Sequence, residues 1–181
     1  RFTRAGYEYI GMDHFARPDD ELARARRERT LHRNFQGYTT KAGTDLIGIG
    51  VSAIGAVGNA FVQNRRELAD YRRAVETEGA ATFRGFRLSF DDRLRRAVIG
   101  NLLCHGVVVL AEIEDSFGID FREYFAGALD RLAGCEADGL VVVSDTEVRA
   151  TALGRVFLRN LAMPFDNYLS TSEKPLFSKT L

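Results

Sequence analysis

Three groups of residues in this chain have the types and spacing to do chemistry. The first is Arg33-Asn34-Phe35-Gln36-Gly37-Tyr38-Thr39-Thr40, a polar, aromatic, glycine-containing loop suited to presenting side chains. An arginine there can grip a carboxylate through two parallel hydrogen bonds, or can serve as a structural clamp. The second is the apolar run from Leu46 to Gly55, interrupted by Gly48 and Gly50. Glycines inside such a run mark a bulge, a close approach of ligand, or a packing constraint between neighbouring elements. Gly-x-Gly alone is too short to be a dinucleotide fingerprint, because the third glycine and the following helix are missing. The third is Asp13-His14-Phe15, where the histidine is either a functional side chain at a strand end or a hydrogen-bonded structural residue.

These residues need elements to hold them. Tyr7 to Ala16 reads as one aromatic-rich strand ending at His14 and Phe15. A strand that ends in functional side chains suits an α/β barrel, whose sites gather at the strand C-termini. Arg17-Pro18-Asp19-Asp20 opens a helix that runs to about Arg29. Asp45 to Ile54 reads as a strand buried on both faces. Ala60 to Asn64 is a short strand and Arg65 to Glu78 an amphipathic helix with Leu68, Tyr71 and Val75 at helical spacing. Thr82 to Leu88 alternates as a strand.

From Ser89 the character changes. Ser89 with Asp92 is a capping-box pattern, opening a helix to about His105 with Leu94, Val98, Leu102 and Leu103 inward. Val107 to Phe117 reads as a second helix. A third starts at Asp120 and stops at Gly134. Leu140–Val143 and Glu147–Ala150 flank a turn as a hairpin. Thr151 to Met163 is a last helix ended by Pro164, and Ser170 to Leu181 a tail, poorly ordered or docked. The expected fold class is therefore α/β, with an α/β part at residues 1–85 and a mainly helical, winged-helix-like part at residues 86–181.

Composition excludes several classes. The chain has 181 residues, with 25 basic against 25 acidic side chains, so it has no whole-chain electrostatic grip on nucleic acid or an anionic membrane. The helix after Asp120 carries Arg122 and Arg131 but also Glu123 and Asp130, which is no basic stripe for a groove. No apolar stretch is long enough to span a bilayer. Cys104 and Cys135 form no close-spaced pair, which is no disulfide framework, and two are too few for a metal–thiolate centre, so no metal site is expected and a reducing cytoplasm fits. The chain opens at Arg1-Phe2-Thr3-Arg4 without an initiator methionine, which reads as a piece of something longer.

Taken together, Tyr9-Ile10-Gly11-Met12-Asp13-His14-Phe15-Ala16, Leu31 to Thr40 and Gly48 to Ile54 resemble the C-terminal part of the oxygen-independent coproporphyrinogen III oxidases. These are radical S-adenosylmethionine enzymes of haem biosynthesis, and the resemblance runs essentially end to end. It implies an incomplete (β/α) radical-SAM barrel followed by a helical domain that helps cover the active site. It implies a 4Fe-4S cluster and S-adenosylmethionine as cofactors, a 5′-deoxyadenosyl radical, and coproporphyrinogen III as substrate. Two decarboxylations leave vinyl groups and give protoporphyrinogen IX.

Residue by residue, the resemblance implies that Phe35 and Gln36 belong to the catalytic loop and that Ile54 lines the S-adenosylmethionine site. Their chemistry agrees with those roles. An apolar ring can shield a radical from water, a carboxamide offers both donor and acceptor, and a β-branched side chain can pack on a nucleoside. His14, Arg33 and Tyr38 are second-rank candidates. The cluster-binding CxxxCxxC motif is absent, so the chain alone is expected to hold no cluster and to be inactive. A monomer is expected, with no nucleic-acid partner. The competing readings are a haem-binding chaperone of the same superfamily and a free-standing winged-helix interaction module.

Overall fold

The structure is a computed structural model, and it describes residues 1–169. The tail expected over residues 170–181 lies outside the described residues. The first departure from expectation comes at once. Tyr7 to Ala16 is a tight hairpin, not one strand: β1 (Glu8–Gly11) turns back into antiparallel β2 (His14–Ala16). Met12 takes φ 50° in the turn, and the Tyr9 hydroxyl donates to its carbonyl at 2.7 Å. Helix α1 (Glu21–Arg27) follows, its first turn capped by Asp20 Oδ1, which accepts from the Leu22 N–H at 2.8 Å. Ala23 and Ala25 on its buried face let it lie close against β1.

A second hairpin, β3 (His32–Asn34) and β4 (Gly37–Thr39), leaves Phe35 and Gln36 as the two tip residues. The Asn34 side chain accepts from the Gln36 N–H at 2.8 Å, and Gly37 takes φ 133°. That positive φ explains a glycine immediately after the tip.

The expected strand over Asp45 to Ile54 is instead an extended loop. Only Leu46 bridges to a strand, at Ala56, while Ile47 and Ile49 are 71% and 87% exposed. The carbonyls of Gly48 and Gly50 each accept at 3.0 Å from the Asn64 carboxamide instead of joining a ladder. Of the open readings for the glycines, packing explains Gly48 and Gly55. A Cβ on Gly48 would stand 2.9 Å from the Ile54 carbonyl carbon, and one on Gly55 2.8 Å from the Leu46 oxygen. Ile54 opens β5 (Ile54–Val57), which pairs with β6 (Ala60–Asn64), which pairs with β7 (Thr82–Arg87) in an antiparallel sheet of order β5-β6-β7. Between β6 and β7, α2 (Leu68–Glu78) buries only Ala74 and leaves Leu68 and Val75 half-exposed. Every strand pairing among the described residues is antiparallel.

The capping box at Ser89 forms as expected. Ser89 Oγ accepts from the Asp92 N–H, and Asp92 Oδ2 accepts from the Ser89 N–H at 2.8 Å, opening α3 (Phe90–His105). Next comes a correction: residues 107–109 form strand β8 (Val107–Val109), and only Leu110–Phe117 is helical, as α4. Three successive valines pair with residues 147–149, and β-branched side chains favour that ladder. The helix expected from Asp120 is also broken. It bends at Phe125, giving α5 (Phe121–Tyr124) and α6 (Ala126–Ala137), and runs past Gly134. The expected hairpin is present as β9 (Val141–Val143) and β10 (Glu147–Ala150), completing a sheet of order β8-β10-β9.

The last helix is shorter than expected. A 3-10 turn at Gly154–Phe157 precedes α7 (Leu158–Ala162), and a second 3-10 turn at Met163–Phe165 contains Pro164. Gly154 packs so tightly on the Leu140 carbonyl that no side chain fits there.

Two apolar cores result. The larger joins Leu94, Val98, Leu102, Phe121, Phe125, Leu132, Leu161, Phe165 and their neighbours, all from residue 94 onward. The smaller joins Ile10, Ala16, Ala23, Ala25 and Leu31, and it is closed by Cys104 from α3. Helix α3 therefore serves both cores from opposite faces.

Candidate active-site cleft

One open cleft of about 1010 Å³ lies between the β3–β4 hairpin, the β5-β6-β7 sheet and the exposed side of α3. Phe35 reaches it from the hairpin tip. Its ring meets Phe61 on β6 edge-on, with centroids 4.9 Å apart, and the Arg96 guanidinium carbon from α3 lies 5.0 Å from the centre of the same Phe61 ring. Hairpin, sheet and helix thus converge on one aromatic ring. Cross-strand partners in a sheet share a face. Phe61 pairs with Ala56 and Phe86, and Gln63 pairs with Ile54 and Arg84, so all six residues belong to one side of the sheet. Phe61, Ala56 and Phe86 line the cleft, while Ile54 lies one step along that face beyond its lining.

The expected site residues are therefore gathered unequally. Phe35 lines the cleft; Gln36 is exposed beside it at the tip; Ile54 shares the sheet face at its rim. Arg33 lines the cleft as well, its guanidinium 5.9 Å from the centre of the Tyr38 ring. Tyr38 is a structural clamp. Its hydroxyl donates to the Leu103 carbonyl at 2.9 Å and fills the space that a side chain on Gly11 would need. Burial pushes its pKa up to about 12, so it is a fixed neutral donor. His14 packs edge-on to Tyr38 at 5.1 Å and has Asp13 Oδ1 2.9 Å from Nδ1, outside the cleft lining.

Several lining residues escaped sequence reasoning: Phe61, Phe86, Arg96, Gly100 and Asn101. The only available signal was the spacing of Arg93, Arg96 and Gly100 along one face of α3, which has no meaning until the sheet is placed opposite it. Other charges in the cleft are already engaged. Asp92 caps α3 and accepts from the Tyr168 hydroxyl at 2.7 Å. Arg95 is held by Asp91 at 2.8 Å and by the Phe165 carbonyl at 3.1 Å.

An iron–sulfur cluster needs several convergent thiolate ligands. Among the described residues no group of three His, Cys, Asp or Glu is placed to hold a metal ion. Cys104 is buried with its thiol pKa pushed up to about 11 by burial, the reverse of what a thiolate ligand needs, and Cys135 is on a different helix. These residues do not fit the cluster. No helix among the described residues is long and apolar enough to cross a membrane.

Residues 88–157 match the family model of the HemN C-terminal domain. The chain is 51% identical over 167 residues to the oxygen-independent coproporphyrinogen III oxidase of Salmonella typhimurium, covering 92% of this chain and 36% of that protein. It is 46% identical over 181 residues to the Pseudomonas aeruginosa oxidase, covering 100% of this chain and 39% of that one. The solved Escherichia coli coproporphyrinogen III oxidase (HemN), described as a radical SAM enzyme, superposes with a TM-score of 0.90 at 50% identity, over 92% of this chain and 38% of that one. Over almost its whole length the chain is similar to part of the oxygen-independent coproporphyrinogen III oxidases. It spans 36% to 39% of the length of these relatives. The structural match extends to the HemN fold as a mixed α/β chain, beyond the helical domain that the family model covers.

Proposed function

We propose that this chain forms one wall of the active site of an oxygen-independent coproporphyrinogen III oxidase. The reaction is oxidative decarboxylation of coproporphyrinogen III to protoporphyrinogen IX, a step of haem formation. The observation that carries this reading is the convergence of Phe35, Phe61 and Arg96 on one cleft in a chain that matches HemN in sequence and shape. The cleft's volume, about 1010 Å³, is in the upper range for small-molecule sites and suits a ligand of macrocycle size.

Within that wall, Phe35 excludes water from the reacting side chain, and Gln36 offers its carboxamide at the hairpin tip. Ile54 presents an apolar surface to S-adenosylmethionine from the rim of the sheet. The cluster is held by residues outside this chain, and the chain by itself is inactive. In this reading residues 1–85 are the end of an incomplete (β/α) barrel, whose parallel neighbours would come from beyond these residues. Of the C-terminal part expected over residues 86–181, the described residues 86–169 form a winged-helix-like domain. The order helix, strand, three helices, hairpin and the β8-β10-β9 sheet support that description. Two free thiols suit a reducing cytoplasm.

The test is a chimera in which this chain replaces the aligned segment of the Escherichia coli enzyme. Anaerobic turnover of coproporphyrinogen III is expected, and loss of turnover in a folded, cluster-bearing chimera contradicts the reading.

A further inference from the structure

Arg33 and Arg96 stand apart from the other charges of the cleft. Among the described residues no carboxylate lies within ion-pair distance of either, and neither guanidinium donates a hydrogen bond. Each is instead held against an aromatic ring, Arg33 at Tyr38 and Arg96 at Phe61. An arginine stacked on a ring keeps its planar fork of donors oriented and available. Asp92, the acid nearest in sequence to Arg96, is occupied by Ser89 and Tyr168. The two free cations face the cleft from different walls, one from the hairpin and one from α3.

Gly100 adds an independent observation. It lies one turn beyond Arg96 on α3, in a helix interior, where glycine costs about 1 kcal/mol relative to alanine. A Cβ there would meet nothing within 4 Å, so no neighbour among the described residues requires the glycine. Its effect is to keep the helix surface low on the side that lines the cleft.

We propose that Arg33 and Arg96 are a two-point clamp for the carboxylates of the macrocyclic substrate, with Gly100 opening the helix surface to the ring between them. This deepens the function proposed above and rests on it for the substrate class: a tetrapyrrole bearing four propionates. The clamp gives each arginine a bidentate carboxylate partner. The rings of Phe35, Phe61 and Phe86 supply the apolar surface on which the macrocycle lies.

The experiment titrates the 181-residue chain with coproporphyrin III, the stable oxidised ring with the same four carboxylates, and follows porphyrin fluorescence. Loss of one charge-assisted pair weakens binding by about tenfold or more, so Arg33→Gln and Arg96→Gln are each expected to do so. Arg96→Lys restores part of the loss. The tetramethyl ester of the porphyrin, which has no carboxylates, binds weakly and is insensitive to both substitutions. Gly100→Leu blocks binding while raising the melting temperature, because leucine is the better helix former; this separates a filled cleft from a failed fold. Equal affinity across the variants, an ester that binds as tightly as the acid, or no binding to the wild-type chain would overturn the clamp. Turnover by the chimera described above does not depend on these two arginines being the clamp, so the two proposals fail separately.

Discussion

Phe61 sets the character of the candidate site, because it is where three elements touch. It holds Phe35 edge-on and supports the Arg96 guanidinium, and it gave no sign of this in its own stretch of sequence. His105, at the end of α3, has its titration displaced by burial. Its Nδ1 is buried without a hydrogen-bond partner among the described residues. Burial first, then the positive charges of Arg29 and His32, push its pKa down to about 4, against some opposition from Glu112. Its folded pKa is thus below the value of about 6.5 expected in the unfolded chain. Between these values the unfolded state binds more protons, so the neutral histidine's stability contribution is present above pH 6.5 and is lost as pH falls toward 4. The urea midpoint of the wild-type chain should fall more steeply between pH 7 and 4.5 than that of His105→Gln. Parallel curves would show that His105 does not titrate in this way.

At the scale of elements, α3 organises the structure, and its start depends on one reciprocal pair. Ser89→Ala removes the acceptor for the Asp92 N–H, and a lost N-cap costs about 1 kcal/mol. The melting temperature should drop by a few degrees, with Ser89→Asp retaining most of it; a variant as stable as wild type would mean that the cap is redundant. This cap was legible in the sequence because it is local: both partners lie within one helical turn. The β9–β10 hairpin was legible for the same reason. What was not legible depends on distant partners. Val107 to Val109 are a strand because residues 147–149 lie beside them. The run from Ile47 to Val51 is a loop because Asn64, far along the chain, takes the carbonyls that a strand would have needed. The segment itself read only as a loop presenting side chains, and the resemblance pointed to Phe35 and Gln36 within it; the hairpin that holds them required the Asn34 side chain and the turn at Gly37 together.

Over the whole molecule, stability is uneven. Among the described residues the core from residue 94 onward buries sixteen apolar side chains, including three phenylalanines, whereas the N-terminal core buries six and borrows Cys104 for one of them. The β5-β6-β7 sheet has no large apolar core of its own, and α2 leaves half its apolar face uncovered. Amide exchange should therefore be slowest in α3, α6 and β10 and markedly faster in β1 to β6. Equal protection in the two halves would contradict this division. The most direct measurement is anaerobic conversion of coproporphyrinogen III by the Escherichia coli chimera carrying this chain, compared with the same chimera bearing Phe35→Ala. Protoporphyrinogen IX should form with the wild-type segment and fall at least about tenfold with the alanine, as expected when a group that excludes water from the reacting centre is removed. A folded, cluster-bearing chimera that makes no product, or one indifferent to Phe35, would contradict the assignment of this cleft to the active site.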